Sequence, residues 1–155
     1  MESEKKNILI LCAGHPFSSD AGFGFYVAKV LEKMELPGNV EVLEVGESAS
    51  EFPYLIEGKD KMIVVDVFQT KDKPGTIVRL KPDEVPVTVN GVTDVAKFHL
   101  MDTLAQINIS GKCPETIFIG VVPNDIKTTS PQLTPEVESK ISEIIDLIMR
   151  EITKK

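Results

Sequence analysis

The chain has 155 residues, 42% of them hydrophobic and 26% charged, a composition expected of one globular domain large enough to bury its own core. A formal charge of −7 without a Lys/Arg-rich stripe argues against sequence-independent nucleic-acid binding, which needs clustered cations to hold phosphates. The charged start Met1 to Lys6 and the short apolar run behind it fit neither a signal peptide nor a membrane span, so the chain reads as soluble and cytoplasmic, with no membrane partner.

Asn7 to Cys12 reads as a buried strand. It breaks at Ala13-Gly14-His15-Pro16-Phe17-Ser18-Ser19-Asp20 before a helix that carries Phe23, Val27, Val30, Leu31 and Met34 on one face. Leu36-Pro37-Gly38-Asn39 ends that helix, Val40 to Val45 is a second strand, and Glu47 to Ile56 is a short helix interrupted near Pro53. Lys61 to Phe68 is the third strand; after Asp72-Lys73-Pro74-Gly75, Thr76 to Leu80 is a fourth. Lys81 to Ala96, with Pro82, Pro86 and Gly91, reads as a loop with a short edge strand. His99 to Ile107 is a helix with Leu100, Leu104 and Ile107 inward, Glu115 to Val122 is a buried strand, and Pro123 to Leu133 is an irregular loop. Thr134-Pro135-Glu136 opens the last helix, whose buried stripe is Val137, Ile141, Ile144, Ile145, Ile148 and Ile152.

Strands alternating with helices predict a three-layer α/β/α domain around a mostly parallel, twisted sheet of about five strands. Ligands of such sheets bind beyond the carboxyl ends of the strands, where Gly14 to Asp20, Glu44 to Ser48 and Asp66 all fall.

Asp66 stands out because it interrupts the apolar run Met62-Ile63-Val64-Val65-Asp66-Val67-Phe68. A charge in such a strand needs a hydrogen-bonding partner, a metal or a shifted pKa, so Asp66 is either a carboxylate collecting loop N–H groups or a group kept for chemistry. Asp20 reads either as a helix N-cap or as a metal ligand, and His99 and His15 either as exposed imidazoles or as ligands. Oxygen and imidazole donors together suit a borderline divalent ion such as zinc or nickel. The first turn has neither a Walker Lys-Ser/Thr pair nor a full GxGxxG, and Ser18 and Ser19 lie outside a GxSxG elbow. Cys12 and Cys113, without CxxC spacing, suggest no disulfide framework or zinc knuckle.

Five groups of residues, in this order and spacing, resemble the hydrogenase maturation endopeptidases over nearly the whole chain. They are Ile8 to Pro16, Ser19-Asp20-Ala21-Gly22-Phe23-Gly24, Val64-Val65-Asp66-Val67 with Lys73-Pro74-Gly75-Thr76, Phe98-His99, and Ile117 to Pro123 followed by Ser130 to Val137. The resemblance implies one domain over residues 1–155 that trims the C-terminal tail of a nickel-iron hydrogenase large-subunit precursor, its partner, once nickel is inserted. It implies a metal supplied by the substrate as nickel, with zinc or cadmium as surrogates, and held by an acidic residue of the first turn, the strand Asp and the helix His. By position Asp66 and His99 match. The acidic pair is Asp20-Ala21 here, with Ala21 at the position that usually faces the metal, so either Asp20 swings in, His15 replaces it, or the site is weakened. Glu44 and Gly46 stand where the family has an acidic-glycine segment for substrate recognition. A monomer is expected. A rival class is a non-catalytic chaperone that binds the precursor without cleaving it; a second, resting on sheet architecture alone, is a nucleotide- or flavin-binding module.

Overall fold

The computed structural model describes residues 5–45, 52–86, 88–89, 92–93, 101–102, 104–105 and 113–154. Its centre is a five-stranded sheet in the order β2-β1-β3-β7-β4. The strands are β1 (Ile8–Ala13), β2 (Val40–Val45), β3 (Lys61–Val67), β4 (Ile77–Leu80) and β7 (Glu115–Val121), with β5 (Thr88–Val89) and β6 (Val92–Thr93) pairing as a separate two-stranded ladder. The edge strand expected between Lys81 and Ala96 is therefore a small hairpin, apart from the main sheet.

β2, β1, β3 and β7 run parallel, and β4 alone is antiparallel, against β7. The near-continuous apolar runs of β1 and β3 belong to strands covered on both faces. The reversal of β4 follows from the chain between β3 and β4. It crosses the end of β7, with Phe68 N donating to Val121 O at 3.0 Å and Gly75 N to Val122 O at 2.8 Å. It then turns back at Lys73-Pro74-Gly75-Thr76, where Gly75 has φ of 89° and Thr76 N donates to Lys73 O at 3.1 Å, the pattern of a type II turn.

Side chains alternate across each strand and so define the two outer layers. Ile8, Ile10, Cys12, Ile63, Val65, Ile117, Ile119 and Val121 pack under α1 (Phe23–Glu32), α3 (Pro135–Glu138) and α4 (Ile141–Thr153). Leu9, Leu11, Met62, Val64 and Phe118 face the other way, toward Ile56 of α2 (Phe52–Ile56) and Leu104. Of the helix expected from His99 to Ile107, residues 101–102 and 104–105 are helical, and the remainder lies outside the described residues, as does 47–51 of the helix expected before Ile56.

The single closing helix expected from Thr134 is two. Ser139 and Lys140 separate α3 from α4, with Lys140 N donating to Val137 O at 3.0 Å, an i to i+3 bond that tightens the turn. Thr134 does not cap with its side chain; its hydroxyl is engaged elsewhere.

At the amino edge of the sheet, Glu151 of α4 is buried against Lys61 of β3 at 2.9 Å and accepts from Arg79 Nε of β4 at 2.7 Å. This pins the last helix across β3 and β4, at the end of the molecule opposite the site. No described helix is long and apolar enough to cross a membrane.

Candidate active site

Asp66 lies one residue from the end of β3, the middle strand of the sheet, in register with Gly120 of β7. It is half-buried, and its Oδ1 accepts the backbone N–H of Val67 at 2.7 Å. By strand alternation it shares the face of Met62 and Val64, the layer that also holds Leu104 and the helical residues 101–102 and 104–105. Gly120 makes this position what it is. A Cβ there would sit 1.8 Å from Asp66 O and 2.7 Å from the Phe68 ring, so only glycine lets the two strands and that ring close up beside the carboxylate. His99 and Gly46 lie outside the described residues.

The first turn is glycine-packed against the end of β1. A Cβ at Gly24 would meet Ala13 O at 2.1 Å, and one at Gly14 would meet Ala21 O at 2.5 Å, which brings the start of α1 down onto the sheet. A 3-10 segment, Ser19–Gly22, links strand to helix and packs beside β3. His15 is exposed on this turn, and its backbone N–H donates to Ala21 O at 2.9 Å, so the imidazole-bearing residue is tied directly to Ala21.

Asp20, expected as cap or ligand, caps nothing: α1 begins at Phe23 after Gly22, without a side-chain cap bond. Its side chain is fully buried, and both oxygens are taken up by the loop after β7. Oδ2 accepts from Asn124 N at 2.8 Å, Asp125 N at 3.0 Å and Thr134 Oγ1 at 2.8 Å, while Oδ1 accepts from Thr134 N at 2.8 Å. Ser19, with φ of 52°, is held in that left-handed conformation by its N–H to Ser130 O at 2.9 Å and by its place between the Ser18–Ser130 bridge and Asp20.

Glu44 reaches the same rim on the opposite face from Asp66. It pairs with Lys29 of α1 at 3.0 Å, and that bond raises the Lys29 ammonium pKa. Cys12, between them on β1, is buried; burial first, then the charges of Glu44, Glu32 and Asp66, push its thiol far up, which makes it an inert core residue. Among the described residues, no three His, Cys, Asp or Glu side chains lie together as a metal cage. Sequence patterning does not single out Gly120 or Asn124, and it reads Thr134 as a helix opener rather than as a donor to Asp20. An isolated glycine inside the apolar run 117–122 is the one available signal for the first.

A family model described as hydrogenase maturation protease matches residues 25–151. The chain belongs to the hydrogenase maturation protease family. A Methanocaldococcus jannaschii protein assigned to the same proteases is 34% identical over 155 residues, spanning 97% of this chain and 99% of that one. The hydrogenase 2 maturation protease of Escherichia coli is 28% identical, over 92% of this chain and 88% of its own. The solved structure of the E. coli hydrogenase-maturating endopeptidase HybD superposes with a TM-score of 0.84 at 24% identity, covering 95% of this chain and 92% of that one, and carries the same α/β fold.

Proposed function

We propose that this hydrogenase maturation protease is an endopeptidase that removes the C-terminal tail of a nickel-iron hydrogenase large-subunit precursor after nickel insertion. The observation that carries the reading is Asp66: a half-buried carboxylate at the carboxyl end of the central strand, beside Gly120, whose lack of a side chain lets β7 and the Phe68 ring close up against that strand end. In this reading the nickel arrives with the substrate, held by the precursor's own thiolates, and Asp66 and His99 complete its coordination. Zinc or cadmium would be accepted as surrogates by the same oxygen and nitrogen donors. Of the first-turn candidates His15 is the exposed one, and it stands beside Ala21 through the Ala21 carbonyl. The bound ion positions the scissile peptide and polarises its carbonyl toward attack by water, so cleavage reports that metal has been inserted. Glu44, at the same rim, would contact the precursor, and Gly46 is assigned the same recognition role.

Mass spectrometry of a nickel-loaded precursor incubated with the wild-type chain, Asp66→Ala and His99→Ala tests this. Tail loss with the wild type and at least a hundredfold slower loss with both variants is expected; unchanged tail removal by both would reject the assignment. Ala21 favours one second reading, a chaperone that binds the precursor without cutting it, and retained binding without any cleavage by the wild type would select that reading.

A further inference from the structure

Asp20 is an acid in the right turn with the wrong surroundings for a ligand. Nothing of it is exposed, and each oxygen already accepts bonds from the 124–134 loop. A carboxylate that lost those donors would strand Asn124 N, Asp125 N and Thr134 N inside the structure, each unmade bond costing far more than a solvated one. The two segments are laced further by Asp20 N to Asp125 O at 2.8 Å, Ser19 N to Ser130 O at 2.9 Å, Ser130 N to Phe17 O at 3.0 Å, and a bond from the Tyr26 hydroxyl to Pro131 O. Within the first turn, the residue after Asp20 passes its carbonyl to His15 N at 2.9 Å.

We infer that Asp20 is a positioning residue: its buried carboxylate clamps the loop after β7 to the first turn and, through the Ala21 carbonyl, sets the backbone of the His15 turn beside the end of β3. The loop and the turn then form one rigid wall of the rim. All four of the clamp's donors, three backbone N–H groups and one hydroxyl, belong to the protein itself, so the carboxylate serves to hold geometry.

The inference rests on the endopeptidase reading only for its activity arm, and the test has a second arm that does not. Asp20→Asn keeps the size but turns an amide N–H₂ toward donors. In the protein alone, amide hydrogen exchange at Asn124, Asp125 and Thr134 is expected to accelerate about tenfold or more, with β1 and β3 amides unchanged. Tail removal is expected to slow roughly ten- to hundredfold in kcat, since small misplacements of a reacting group carry losses of that order. Ser18→Cys with Ser130→Cys places a disulfide across a β-bridge pair, a separation that such a bond spans. Oxidised, it is expected to restore most of the activity of Asp20→Asn, and reduction is expected to abolish the rescue. Thr134→Val, which removes only the hydroxyl donor, gives a milder shift of the same kind and serves if Asp20→Asn fails to fold. Wild-type exchange at the three amides in Asp20→Asn, or in Thr134→Val if that variant stands alone, would overturn the clamp. An oxidised variant with protected amides but no recovered activity would overturn the positioning role and return Asp20 to direct chemistry. If the wild type cleaves no precursor, the exchange arm still decides the clamp, and the endopeptidase reading alone fails.

Discussion

At Gly120 a single hydrogen atom decides how close β7 comes to the candidate catalytic carboxylate. Any side chain there meets both the backbone oxygen of Asp66 and the Phe68 ring, and neither is a flexible tip that could swing away. Gly120→Ala is therefore expected to force β3 and β7 apart, destabilise the fold by about 3 kcal/mol in urea unfolding, and abolish tail removal together with it. Asp66 itself was legible from the sequence as an acid breaking an apolar strand. Gly120, Asn124 and the bonds of Thr134 to Asp20 were not, because they depend on which distant groups face them, and neither hydropathy nor spacing encodes that. Asp20 shows the same limit from the other side. Its type and place fit a cap or a ligand equally well, and only the loop lying over it shows that its oxygens are already occupied.

Among the elements, the parallel strands were readable because burial on both faces leaves an unbroken apolar run, and β4 was readable as a strand but not as an antiparallel one. The closing helix was read as one piece because Val137, Ile141 and Ile144 keep the three- and four-residue spacing straight across the break at Ser139–Lys140. Beyond its apolar stripe, its second half is also held by an ionic contact. Burial pushes the Glu151 carboxyl pKa up, but hydrogen bonds from Lys61 and Arg79 more than offset that and bring it to about 2, from an ordinary 4.5. A carboxylate depressed in the folded state contributes stability that is complete above its unfolded pKa and is lost as protons bind. The melting temperature should accordingly hold level above about pH 5 and fall between about pH 4.5 and 2, and Glu151→Gln should flatten that fall. Glu151→Ala, which leaves Lys61 buried without its carboxylate, should cost about 3–5 kcal/mol in chemical denaturation, whereas Lys61→Met with Glu151→Leu should recover most of it.

For the whole molecule, the predicted three layers and the mostly parallel sheet hold, and the sheet ends at β2 on one side. That margin carries charge along its length: Glu41 pairs with Lys59 at 2.7 Å and Glu44 with Lys29 at 3.0 Å. Charged side chains on an outer strand discourage a second copy from adding to it. Glu41→Val with Glu44→Val should accordingly shift the sedimentation profile toward larger species than the wild type forms, and an unchanged profile would remove these charges from any such role.

The lacing of the rim also has a temporal side. Asp20 meets donors that lie 104 to 114 residues further along the chain. While the ribosome is still making those residues, the amino-terminal portion can pair its first strands but has nothing to quench the buried acid, so the rim stays unset until the segment beyond β7 has emerged. The order of synthesis therefore places the closing of this wall after β7, when the 124–134 segment becomes available to the acid.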